Sequence, residues 1–103
     1  MRPDLSQLMQ QAQRMQDSLK RVQEELATVE VSGQSGGGAV SVVLTGKMEC
    51  RRVRIAPSTL DDADLLEDLV AAAFNDAVSN ANAEARRRTE AATGGMLPPG
   101  MGF

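Results

Sequence analysis

Apolar residues recur every three or four positions over the first thirty residues of the chain. Such a heptad spacing places one apolar seam along a helix. The pattern predicts a helix from about Pro3 to Ala27, which is roughly 37 Å long at about 1.5 Å per residue. A helix of that length must protrude from a small domain or run along a partner. The seam consists of Leu5, Leu8, Ala12, Met15, Leu19, Val22, Leu26 and Val29.

Three short strands are predicted after this helix. Residues 28–31 alternate between polar and apolar side chains, and a glycine-rich loop follows over 32–38. Residues 39–45 and 50–55 are rich in β-branched side chains, which favours strands. Gly46 between them is expected to open a two-residue hairpin turn. The segment therefore predicts a small antiparallel sheet.

The apolar face of this sheet needs a cover. A second helical pattern begins after the cap residues Ser58 or Thr59, and its apolar stripe is widest over Leu65–Val78. We expect this stripe to cover the sheet, a break near 79–82, and last turns that project into solvent. The element order predicts an α+β fold, α-β-β-β-α. The sheet face to be covered comprises Val40, Val42, Leu44, Val53 and Ile55.

The length of 103 residues predicts one domain over 1–92 and a flexible Gly/Pro-rich tail over 93–103. Aromatic residues make up only 2% of the chain, so the core of one chain is thin. Pairing with a second copy would thicken the core and hide the open sheet edges. We therefore predict a homodimer. The expected core and interface residues are Leu44, Val53, Leu66, Leu69, Val70 and Phe74.

Composition excludes several kinds of catalytic and metal site. Histidine is absent and Cys50 is the only cysteine, which removes common acid–base catalysts and zinc ligands. We expect a protein that is not an enzyme and uses no cofactor or metal. Cys50 is expected to be a small buried or half-buried residue. A lone cysteine suits a reducing cytosol, and no stretch resembles a secretory signal or a membrane span.

Positive and negative charges are clustered, although the formal net charge is only −3. The negative sum disfavours DNA, but clusters of cations matter more than the sum. Residues 61–76 hold six acidic residues and no basic one. The basic clusters are Arg14, Lys20 and Arg21 on the first helix, Lys47, Arg51, Arg52 and Arg54 on the hairpin, and Arg86, Arg87 and Arg88 on the second helix.

Each basic cluster allows two interpretations. The cations of the first helix form a phosphate-contacting stripe, or Arg21 pairs with Asp17 and Glu25 on a solvated face. For Arg86–Arg88 we favour contact with a polyanion over the ordinary preference of helix ends for cations. For the hairpin we favour ion pairs with the acidic residues 61–68 over DNA contacts, which would involve Lys47, Arg52 and Arg54.

Five stretches of the chain carry a family resemblance. The longest is Leu66–Ala77, LEDLVAAAFNDA. In the same order along the chain, the others are Met9–Gln16 in the first helix, Val31–Gly33 at a strand exit, Cys50–Val53 in the last strand and Met96–Gly100 in the tail. Together these stretches resemble the YbaB/EbfC family of bacterial nucleoid-associated proteins over nearly the whole chain.

The resemblance implies a tweezer-shaped dimer whose long helices project as arms from a joint body of sheet and helix. It implies double-stranded DNA as partner, with low sequence specificity, and a role in nucleoid organisation, gene expression or DNA protection and repair. A connection with recombination-repair proteins is also implied. The alternative hypothesis is a protein–protein adaptor that captures a partner helix on the heptad seam.

Overall fold

The first helix is the element that the sequence predicts best. The computed structural model describes residues 4–94, and helix α1 spans Leu5–Leu26. The side chain of Asp4 accepts a hydrogen bond from the Ser6 amide (3.1 Å) and caps its N-terminus. The predicted helix is therefore confirmed to within about two residues. Pro3 and the predicted tail beyond Gly94 lie outside the described residues.

The three strands form one antiparallel sheet in the order β1-β2-β3. Strand β1 spans Glu30–Ser35, β2 spans Val40–Thr45 and β3 spans Cys50–Ile55. The first strand continues through residues expected in the glycine-rich loop, and only Gly36–Gly38 form a short 3-10 turn. The loop prediction was therefore too long.

The β2–β3 connection also differs from its prediction. It has four residues, 46–49, instead of two. The hydroxyl of Thr45 accepts hydrogen bonds from the amides of Lys47 (3.2 Å) and Glu49 (3.1 Å). Met48, and not Gly46, adopts the positive φ of 69°. The threonine hydroxyl organises a wider turn than a glycine-first hairpin would need.

Helix α2 spans Ala63–Thr93 without interruption, so the expected break near 79–82 is wrong. Its N-cap is Asp62, whose side chain accepts a hydrogen bond from the Leu65 amide (3.0 Å). The predicted caps Ser58 and Thr59 are wrong as well. Thr59 instead belongs to a short 3-10 turn, where its hydroxyl donates to the Ala56 carbonyl (2.7 Å).

The sheet and the first half of α2 form a unit that we call the body. Val40, Val42 and Leu44 are buried under α2, with Leu66, Leu69, Val70 and Val78 packed against them. Gly33 of β1 lies directly against α2, where an added Cβ would sit 2.1 Å from the Ala77 nitrogen and 2.5 Å from the Ala73 oxygen. A glycine is therefore required for this close approach.

Strand β3 is not covered, contrary to prediction. Val53 is 47% exposed and Ile55 39% exposed, although they lie opposite the buried Val42 and Val40. Cys50 is also exposed, so the expectation of a buried or half-buried thiol is wrong. The cause is the placement of α2, which packs over β1 and β2 and leaves β3 at the open side.

Helix α1 runs antiparallel to the second half of α2, and together they form what we call the arm. Val22 and Leu26 pack against Ala85, and Val29 and Ala92 border this cluster. The expectation that the last turns of α2 project alone into solvent is therefore wrong. The α-β-β-β-α order of the α+β fold is confirmed, and the molecule measures 72 × 23 × 15 Å. Across residues 4–94, no helix combines the length and apolarity needed to cross a bilayer.

Candidate nucleic-acid interface

A shallow groove runs along the arm between α1 and the last turns of α2. Arg14 and Arg21 lie seven residues apart and therefore on the same side of α1. Both line this groove. Lys20 is exposed about 100° around the helix from Arg21 and faces away from the groove. The groove is lined by Gln11, Arg14, Met15, Ser18, Arg21, Val22 and Glu25 on α1 and by Arg88, Ala91, Ala92 and Thr93 on α2.

One arginine of the groove is engaged in holding the two helices together. The Arg88 guanidinium contacts Glu84 on its own helix (2.7 Å) and Glu25 on α1 (3.2 Å). Arg87 also contacts Glu84, but its side chain is 74% exposed. Hydrogen bonds from Arg87 and Arg88 hold the pKa of Glu84 below its usual range. The same Glu84 raises the pKa of Arg88 further above its ordinary value. Arg88 is thus a charged tie between α1 and α2.

The other arm cations are not engaged in this way. Arg14, Lys20, Arg21 and Arg86 form no ion pair with any described residue within the 4.0 Å limit. The proposed pairing of Arg21 with Asp17 and Glu25 is therefore not observed, and Glu25 contacts Arg88 instead. These four side chains are available to a ligand.

The three consecutive arginines do not form one patch. At about 100° per residue, Arg86 and Arg88 point to opposite sides of α2, with Arg87 between them. Arg88 faces the groove and α1, whereas Arg86 is exposed on the other side. A ligand in the groove would meet Arg14 and Arg21 first, while Arg86 and Arg87 serve a surface on the outer side of the arm.

The hairpin cations have different partners from those expected. Arg51 contacts Glu49 in the turn (3.2 Å), and Arg52 contacts Glu30 of β1 (3.6 Å). The favoured pairing with the acidic residues 61–68 is not seen within the described chain. The strand geometry explains the difference. Val53 lies on the sheet face that is turned towards α2, whereas Arg52 and Arg54 lie on the other face.

Charge is separated along the long axis of the molecule. Asp61, Asp62, Asp64, Glu67 and Asp68 surround the beginning of α2 in the body. The free arginines lie on the arm, at the other end of a helix that is roughly 45 Å long. The excess of negative charge therefore lies in the body, several Debye lengths from the far end of the arm, whereas the basic and acidic residues of the arm balance each other.

The outer edge of β1 is occupied by polar side chains that sequence reasoning missed. The Gln34 amide donates to the Asp76 carboxylate (3.0 Å), and the Asn80 side-chain amide donates to the Ser32 carbonyl (2.9 Å). Asp76 and Asn80 lie more than 40 residues from their partners. A pattern of neighbouring residues cannot indicate pairs that are so far apart in the sequence. As a result, α2 closes one edge of the sheet.

The opposite side of the body is open and apolar. A groove beside α2 is lined by Leu66, Val70 and Phe74, and Phe74 is 43% exposed. All six residues of β3 are exposed, and Val53 and Ile55 share the sheet face that α2 covers elsewhere. Of the predicted core and interface residues, Leu44 is fully buried, Leu66, Leu69 and Val70 are half-buried, and Val53 and Phe74 are exposed.

Comparison with known proteins gives consistent results. The profile of a family described as the YbaB/EbfC DNA-binding family matches residues 1–96. A nucleoid-associated protein of Xanthomonas campestris pv. campestris is 61% identical over 102 residues, covering 98% of this chain and 96% of the relative. Another from Xylella fastidiosa is 58% identical over 102 residues, covering 98% and 95%. The crystal structure of an uncharacterized Helicobacter pylori protein matches with a TM-score of 0.70 and 26% identity, covering 84% and 92%.

Proposed function

Since the chain belongs to the YbaB/EbfC DNA-binding family, we propose that it binds double-stranded DNA at the nucleoid as a homodimer with low sequence specificity. Its effects then lie in nucleoid organisation, gene expression or DNA protection and repair. The relatives named nucleoid-associated proteins support this role. Within the geometry, the observation that carries the proposal is the set of arginines on the arm that have no ion-pair partner within the described chain.

Contact with phosphates is the chemistry that suits these arginines. A guanidinium donates two parallel hydrogen bonds to phosphate oxygens, and each cation that neutralises a phosphate releases a counterion. Arg14 and Arg21 lie about 10 Å apart along α1, so they can contact separate phosphates of one backbone. Arg86 and Arg87 add contacts on the other side of the arm, and Lys20 adds charge on its outer face.

Low specificity follows from the same contacts. Phosphate contacts position a protein on DNA but carry no sequence information. Ala91 and Ala92 line the α2 side of the groove and have no group to read base edges, while Gln11, Ser18 and Thr93 are its uncharged polar residues. Lys47 and Arg54 on the hairpin are further candidates, whereas Arg52 is held by Glu30.

The homodimer is supported by the contrast between the two sheet edges. The β1 edge is closed by Asp76 and Asn80, but β3 and the groove at Phe74 leave polar backbone and apolar side chains exposed together. An open strand edge beside an apolar surface favours pairing with another chain. A second copy placed there would put the two arms on one dimeric body, as in tweezers.

The experiment that tests DNA binding is a gel shift over a salt series with two duplexes of unrelated sequence. We expect the logarithm of the binding constant to fall linearly with the logarithm of the salt concentration, by about 0.9 for each phosphate contact. Both duplexes should give the same slope. Binding that does not change with salt, or that occurs with only one duplex, would contradict the proposal.

The homodimer is tested by light scattering on the unaltered chain and two variants. We expect a mass of twice 11.0 kDa for the unaltered chain. Val53→Asp should reduce the mass to that of one chain, because it introduces a charge into the apolar surface of β3. Arg54→Asp is the control, since its side chain lies on the other face of the same strand. A monomeric unaltered chain refutes the dimer, and dissociation by both variants refutes this interface.

A further inference from the structure

One acidic side chain lies in the basic groove of the arm. Glu25 lines the groove together with Arg21 and Arg88, and it is the only acidic residue among the described residues that line it. Arg21 lies about one turn away on the same helix but forms no ion pair with Glu25. Glu25 instead accepts a hydrogen bond from Nη1 of Arg88 on α2 (3.2 Å). The groove therefore holds a carboxylate at the position where an anionic ligand would bind.

The two carboxylates that contact Arg88 hold it unequally. Glu84, on the same helix, accepts from Nε of Arg88 at 2.7 Å, and its side chain is only 18% exposed. Glu25 accepts from Nη1 at 3.2 Å across the two helices, and its side chain is 45% exposed. An exposed ion pair contributes little to stability, because water solvates the separated charges well. The contact with Glu84 thus fixes the guanidinium, whereas a ligand can replace the contact with Glu25.

We propose that Arg88 is a further phosphate-binding residue of the arm, and that Glu25 occupies it until DNA takes its place. This exchange rests on the proposed DNA binding. A phosphate oxygen accepts hydrogen bonds from a guanidinium as a carboxylate oxygen does. When a phosphate replaces Glu25 at Nη1, Nε remains bonded to Glu84, and Arg88 keeps its orientation towards the groove. Glu25 is therefore an internal competitor of DNA.

The exchange does not require the arm to open. Val22 and Leu26 of α1 are buried against Ala85 of α2, directly beside the charged contact. These apolar contacts hold the two helices together, because burial of large side chains stabilises far more than an exposed ion pair does. Glu25 can therefore leave Arg88 and become hydrated while α1 and α2 stay packed.

The exchange also changes the charge that DNA meets. Glu25, Glu84, Arg87 and Arg88 are joined by ion pairs into a cluster with as many negative as positive charges. The three consecutive arginines are therefore less basic in the free protein than their number implies. Once Glu25 has left the contact, the remaining cluster has an excess of positive charge, which favours a phosphate at Arg88.

The first experiment compares two neighbouring glutamates by gel shift of one duplex at a fixed salt concentration. Glu25→Gln removes the competitor, and we expect it to tighten DNA binding by about fivefold. Glu24→Gln is the matched control. It removes the same charge from an exposed side chain that does not line the groove and forms no ion pair within residues 4–94. It should tighten binding by less than about twofold, because surface charges are screened by salt.

A double-mutant cycle tests whether Glu25 acts through Arg88. Arg88→Gln alone should weaken DNA binding, because it removes a phosphate contact. In the Arg88→Gln background, Glu25→Gln should change binding by less than about twofold, since no guanidinium is left to release. Circular dichroism verifies that each variant keeps its helices. The comparison of Glu25→Gln with Glu24→Gln leaves Arg88 in place and stays decisive if Arg88→Gln does not fold.

Failure of the exchange is distinguishable from failure of DNA binding itself. If the unaltered chain binds DNA and Glu25→Gln tightens binding no more than Glu24→Gln does, the exchange is overturned and DNA binding stands. The same holds if Glu25→Gln still tightens binding fivefold in the Arg88→Gln background, because Glu25 then acts without Arg88. If neither the unaltered chain nor Glu25→Gln binds the duplex at low salt, both DNA binding and the exchange are overturned.

Discussion

The body and the arm are built on the same helix but are packed differently. In the body, Ala73 and Ala77 of α2 approach the backbone of Gly33 so closely that an added Cβ would clash. In the arm, Ala85 meets the larger side chains of Val22 and Leu26. The small residues of α2 thus allow two backbones to approach closely in the body, and in the arm they leave space for large side chains of α1.

The polar contacts of the body and the arm also differ. In the body, the side-chain amide of Asn80 and the carboxylate of Asp76 close the edge of β1 with hydrogen bonds. In the arm, Arg88 joins two carboxylates across the helices while Arg14, Arg21 and Arg86 have no ion-pair partner among residues 4–94. The polar groups named in the body are thus engaged within the fold, whereas the arm leaves these three arginines free to meet a ligand.

The largest effect is expected where the body is tightest. Gly33→Ala places a methyl group against the backbone of α2, and we expect it to lower the free energy of unfolding by about 4 kcal/mol. Gly37→Ala is the control, because its φ is 68° but an added Cβ meets nothing within 4 Å, and it should cost about 1 kcal/mol. Urea denaturation at fixed protein concentration measures both. Equal losses would show that the close approach of α2 to Gly33 does not set the cost of the substitution.

A slightly smaller loss is expected at the base of the arm. Leu26 is 3% exposed and packs beneath Gly46, so Leu26→Ala should lower the free energy of unfolding by about 3 kcal/mol. Met9→Ala on the same helix removes a side chain that is 65% exposed and should change it by less than about 0.5 kcal/mol. If both variants unfold at the same urea concentration, the seam does not hold the arm in the way described.

The smallest stability effect concerns the charged tie. The pKa of Glu84 is lowered by Arg87 and Arg88, so folding favours its ionised form. Its contribution is present above the pKa of the unfolded chain and is lost as the pH falls through the lower folded value. Between about pH 5 and pH 3, the urea midpoint of the unaltered chain should therefore fall more than that of Glu84→Gln. Parallel curves would show that the tie contributes nothing measurable.

Local signals predict most of the elements. The heptad seam predicts α1, and β-branched runs predict β2 and β3, because these patterns depend on neighbouring residues. Asn80 and Asn82 lower the helix propensity locally, which favours an interruption of α2. The interruption does not occur, because tertiary contacts on both sides of these residues support the helix. Asn80, which looks like a helix breaker, instead donates to β1.

The sites depend more on distant contacts and are less predictable. The sequence identifies the arm cations as candidates, but it does not distinguish the tied Arg88 from the free Arg86, because the tie needs Glu25 from a helix 63 residues away. The exposure of Val53 and Cys50 likewise follows from where α2 rests on the sheet. Gly33 permits this position because it allows the close approach of α2 to β1, a role that a strand pattern does not indicate.

If the free cations of the arm hold DNA, two double variants of equal charge should bind it differently. Arg14→Gln/Arg21→Gln removes two free cations, whereas Arg51→Gln/Arg52→Gln removes two that are already paired on the hairpin. The salt dependence of DNA binding is measured for both by gel shift. We predict that the arm variant loses about 0.9 of slope for each phosphate contact removed, while the hairpin variant keeps the original slope. An unchanged slope in the arm variant, or an equal loss in both, would contradict DNA binding by the free cations of the arm.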